Sequence, residues 1–166
     1  IVQPEKKETF IEHESAWRAA KIQYEQEISD LNDLTAAKQT YFKSIKIFYA
    51  AEPERIKNLT ETANRDFLDI INRRFTETVR NLELQIQAAR SKNKIVNLYK
   101  EIEEEYNNHI ETMKDITEIE GKAREHVINS LKAEKDSALR KTDVEVVLAH
   151  NQYNKELADK LAEEEL

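Results

Sequence analysis

Apolar residues return along this chain in steps of three and four, and very little interrupts them. Phe10 opens a series that runs through Trp17, Ala20, Tyr24, Ile28, Leu31, Leu34, Phe42, Ile45 and Phe48. That spacing lays one apolar face along a helix. Thr9-Phe10-Ile11-Glu12 fits a capping box, with Thr9 as N-cap and Glu12 reaching back to its amide. The pattern predicts a flexible lead-in over residues 1–8 and a first helix over 9–50. Ser29-Asp30-Leu31-Asn32-Asp33 is its weak point, because short polar side chains compete for backbone hydrogen bonds, and a kink is expected there.

Ala50-Ala51-Glu52-Pro53-Glu54 is the clearest punctuation. Pro53 disfavours helix at Glu52, suits the first turn of a new helix, and is flanked by carboxylates that favour a helix N-terminus. Residues 51–54 are read as a break; tight reversals usually show glycine or asparagine, and none stands here, which favours a bend, though the sequence leaves a fold-back open. The stripe resumes at Ile56, Leu59, Ala63, Phe67 and Ile70, then Phe75, Val79, Leu82 and Ile86, and continues through Val96, Tyr99, Ile102, Ile110, Met113, Val127 and Leu131. Its period lies nearer 3.67 than 3.5, which favours straight or right-handed pairing over a long left-handed zipper.

From Arg55 to Leu166 there is no proline and one glycine, Gly121. One helix of about 110 residues would reach about 165 Å. The expectation is an all-α, extended, rod-like or coiled-coil-like chain. One shorter helix would be followed by a very long stalk helix over 55–166, without a compact globular core. Kinks are expected near Gly121 and over 137–143, where Thr142-Asp143-Val144-Glu145 again resembles a capping box.

Composition sharpens this. Glycine and proline total three in 166 residues, so few turns are available, while charged residues make up 36% and hydrophobic residues 39%. The formal net charge of −7 argues against nucleic acid as the main partner and against a basic module that coats anionic membranes. No cysteine is present, no apolar run is long enough to span a membrane, and Ile1-Val2-Gln3-Pro4 carries no signal-peptide pattern.

Candidate chemistry is sparse. The residues three before His13, His109, His126 and His150 are Phe10, Tyr106, Ala123 and Val147, so the Glu-x-x-His motif of bundle metal sites fails each time. The carboxylates Glu101, Glu103, Glu104 and Glu105 point to different sides of a helix, whereas calcium wants oxygens converging from a loop. Arg73, Arg74 and Arg80, and Lys92 with Lys94, read as polar helix faces, and Asn58-Leu59-Thr60 reads as the start of the second helix rather than a glycosylation site. One glycine permits no phosphate-binding loop. No catalytic residue, metal site or cofactor is expected, and the chain reads as non-catalytic.

The aromatic residues Trp17, Tyr41, Phe42, Phe48, Phe67 and Phe75 cluster around the Pro53 break. They are either a local core or a docking surface. A thin rod has too little interior for all of them, which favours docking.

Leu98-Tyr99-Lys100-Glu101-Ile102, His109-Ile110 and Glu125-His126-Val127-Ile128-Asn129 follow in an order that resembles the mitochondrial-type b subunit of the rotary ATP synthase peripheral stalk. The resemblance covers residues 75–160. It implies a stator that braces the catalytic head against rotation, sits on the matrix side of the mitochondrial inner membrane, and binds other stalk and head subunits. It adds Tyr99, Ile102, His109, Ile110, His126 and Val127 as interface candidates. That family carries membrane helices before its stalk, and none is present in this sequence. The alternative is a self-associating coiled-coil scaffold or tether, cytoskeletal or organelle-shaping, which would want a more regular seam than this one.

Overall fold

A computed structural model describes residues 4–116 and 121–165, with the side chains of residues 4, 142–145, 147, 149 and 165 excepted. The described residues form six helices and no strand: α1 (Pro4–Glu25), α2 (Leu31–Phe48), α3 (Pro53–Ala88), α4 (Lys92–Asp115), α5 (Gly121–Arg140) and α6 (Thr142–Glu165). The all-α expectation holds. The single helix expected over 55–166 does not, since α3, α4, α5 and α6 divide it.

The first helix starts earlier than its apolar series. Pro4 occupies the first turn, where its missing N–H costs nothing, and Thr9 lies inside α1 donating to the Glu5 carbonyl at 3.0 Å. The lead-in is therefore helical from Pro4, and Thr9 is not a cap. The stretch expected to kink is instead a reversal. Ile28 N donates to Gln23 O at 2.8 Å and Glu27 N to Tyr24 O at 3.1 Å, the paired bonds of a Schellman ending. Its left-handed position is filled by Glu27, at φ 60°, where glycine is the usual residue. Asp30 then caps α2, accepting from Asp33 N at 2.9 Å while the Asp33 side chain accepts from Asp30 N.

Pro53 opens α3 as expected, but residues 49–52 turn the chain back rather than bend it. Glu52 N donates to Tyr49 O, and the Glu52 carbonyl accepts from Arg55 and Ile56. The next break, at Ala89–Ser91, has no proline or glycine. Ser91 caps α4, its Oγ accepting from Lys94 N at 3.0 Å. At the far end of α4, the Ile116 carbonyl accepts from Arg124 at 2.5 Å, which satisfies an orphan group of that terminus. Lys141 forms the turn between α5 and α6. The capping box proposed at Thr142 lies outside the described side chains.

The chain divides into two compact units, residues 1–74 and 75–166. In the first, α1 and α2 run antiparallel, with Phe10 stacked on Phe48 at 4.9 Å and Trp17 over Tyr41 at 6.4 Å. The opening half of α3 returns along α1, pairing Asp66 with Lys21 at 3.2 Å and Arg73 with Glu25 at 2.6 Å. Leu34 and Ile45 are fully enclosed. In the second unit, the remainder of α3 packs against α4 through Val79, Leu82, Ile86, Ile95, Leu98, Tyr99, Ile102 and Tyr106, joined by Val146 from α6. α5 lies antiparallel to α4, with Lys135 donating to Asn107 at 2.8 Å. Each unit thus buries its own apolar core, where none was expected.

Candidate interaction surface

The aromatic group expected to dock a partner packs within the first unit. Trp17, Tyr41 and Phe67 are buried, and Phe42 and Phe48 are half-buried. Lys38 sits among them with its Nζ 4.0 Å from the Phe67 ring centre and 5.5 Å from that of Phe42. Burial lowers its pKa to about 8. A groove of about 410 Å³ between α1 and α2 is lined by Phe10, His13, Ser44 and Ile47 among others. His13 Nδ1 and Ser44 Oγ are hydrogen-bonded there. Ser44 stands inside α2, where backbone N–H groups are committed to the helix and cannot form an oxyanion hole. The pair joins two helices and does not build a nucleophile.

In the second unit, Tyr99, Ile102, His109 and Ile110 are all buried on α4. Of the stalk-resemblance motifs on this helix, Leu98, Tyr99, Ile102, His109 and Ile110 therefore fill a core, while Lys100 and Glu101 are exposed. His109 is only 6% exposed and stacks flat on the half-buried Phe75, centroids 4.0 Å apart, with Tyr106 edge-on to the same ring at 5.0 Å. Burial lowers its pKa to about 4, so the imidazole is neutral at pH 7. On α5, His126 is exposed and Val127 half-buried, the least covered of the candidates that the resemblance adds. Among the described residues no cluster of histidine and carboxylate side chains is placed to hold a metal ion, and no helix is long and apolar enough to cross a membrane.

The surface that stands out is on α6. Val146, Tyr153, Leu157 and Leu161 are spaced by seven, four and four residues, which places them on one helix face. Val146 is buried in the core of the second unit. Past it the face loses its cover: Tyr153 is 49% exposed, Leu157 45% and Leu161 51%, and all of residues 151–164 are exposed. Arg90, beside the α3–α4 turn, pairs with Glu156 at 2.6 Å and ties this helix down near its middle. The four-residue spacing of Tyr153, Leu157 and Leu161 is legible in the sequence. The signal was in the pattern, but the degree of cover was not. Comparison with protein-family models, with curated proteins and with solved structures finds no match to this chain.

Proposed function

We propose that this chain is a non-catalytic structural subunit of a larger membrane-associated assembly, joined to its neighbours through α6. One observation carries this reading: the apolar face of α6 begins as core at Val146 and continues, uncovered, through Tyr153, Leu157 and Leu161. Soluble monomers rarely leave an aligned run of large apolar side chains bare unless another chain uses it. The specific assembly favoured is the peripheral stalk of the rotary ATP synthase, on the matrix side of the mitochondrial inner membrane. Support for that choice comes from the b-subunit resemblance over Leu98–Ile102, His109-Ile110 and Glu125–Asn129. In that role the chain braces the catalytic head and needs helices and lateral contacts, not an active site.

The test is a tagged pull-down from native membranes in mild detergent, with mass spectrometry of co-purifying chains. Stoichiometric rotary ATP synthase subunits are expected, and Leu157→Ser with Leu161→Ser should reduce their recovery. Recovery of the chain with itself alone, or with cytoskeletal proteins, overturns the stator reading in favour of a self-associating scaffold.

A further inference from the structure

We propose that the uncovered stripe of α6 receives a basic amphipathic helix from another chain. This deepens the subunit reading above and rests on it. The stripe is a continuation of existing helix packing, since Val146, on the same face that later carries Leu157 and Leu161, belongs to the core built with α3 and α4 side chains. A helix laid over residues 151–164 would extend that packing along about 21 Å of α6.

Charge selects the occupant. Residues 142–165 contain seven carboxylates against two lysines, Lys155 and Lys160, and end in Glu163-Glu164-Glu165. A second copy of α6, parallel or antiparallel, would bring two net-negative helices together, a repulsion that disfavours self-pairing. An anionic membrane surface is repelled for the same reason. Lysine or arginine flanking an apolar stripe is complementary, and Arg90 already makes this kind of contact with Glu156. The contact is small, below about 1,200 Å² in total, so an isolated helix should bind at micromolar strength and with marked salt dependence.

Two synthetic helices test this, sharing one leucine spacing, one flanked by lysine and the other by glutamate. Fluorescence anisotropy against the whole chain is read at about 50 mM and about 500 mM salt. The lysine-flanked probe should bind at micromolar concentration, weaken about tenfold at the higher salt, and weaken about tenfold in the Leu157→Ser/Leu161→Ser variant. These side chains are exposed, so unchanged circular dichroism will show that the variant folds. Equal binding of both probes, binding of neither, or binding untouched by the variant overturns the proposal. So does sedimentation as a tight homodimer that blocks the probe, or attachment to anionic vesicles through the same leucines. If the probe fails while the pull-down still recovers an assembly, the basic-helix inference falls and the subunit reading stands. If the probe behaves as expected while the chain purifies alone, the subunit reading falls instead.

Discussion

Acidification should loosen the second unit through one imidazole. His109 is held neutral against Phe75, with a pKa of about 4 in the folded chain against 6.5 when solvated. The unfolded state therefore binds more protons between those values. Stability is complete above pH 6.5, falls as pH drops, and levels off below 4. The full loss is about 3 kcal/mol, and roughly 2 kcal/mol of it appears between pH 7 and pH 5. For a unit of this size that corresponds to a melting shift of about 8–16 °C. Amide hydrogen exchange of peptides spanning residues 95–113, corrected for intrinsic rates, reads α4 directly. Fluorescence of Trp17, the only tryptophan, reports the first unit as an internal control. Carboxylates also contribute to any acid slope, so the decisive quantity is a difference. In His109→Phe the ring stack on Phe75 remains but nothing titrates, and the slope between pH 7 and 5 should shrink by about 2 kcal/mol. The variant's absolute stability can shift in either direction without affecting that comparison. Slopes equal within about 0.5 kcal/mol would refute the placement of a neutral histidine in this core.

Glu27→Gly should stabilise the first unit by about 0.5–1 kcal/mol, because it relieves a left-handed non-glycine residue that is exposed and makes no capping bond with its side chain; denaturant titration followed by Trp17 checks it. Leu34→Ala in the same unit should cost about 2–5 kcal/mol, and the same titration reads it. Lys38 has its pKa lowered to about 8 by burial, so the unfolded state holds the proton more tightly and stability should rise from pH 7 to pH 10. That rise should be absent in Lys38→Met, measured by the same tryptophan signal. Ser91→Ala should cost about 1 kcal/mol and speed amide exchange first at Lys94 and Ile95, where the cap is lost.

Much of the local structure follows from the chain alone. Scarce glycine and proline, with apolar residues in steps of three and four, dictate helices before any packing is considered. Pro53 marks the start of α3 because its ring fits only a helix's first turn. The reversals were hidden for a physical reason. Glu27 adopts the conformation that glycine normally signals, and Ser91 caps α4 without the acidic partner that makes a capping box recognisable. Glu27 is tolerated because packing on either side of the turn offsets its backbone cost, whereas the Ser91 cap is itself favourable. The fate of the stripe was likewise undecided locally. An amphipathic face reads the same whether it meets its own chain or another, and Trp17, Tyr99 and His109 on one hand and Leu157 and Leu161 on the other carry the same spacing. Only the tertiary structure separates them. The folding back of α2, α3 and α4 covers the first group, and α6 runs past its cover with the second still bare.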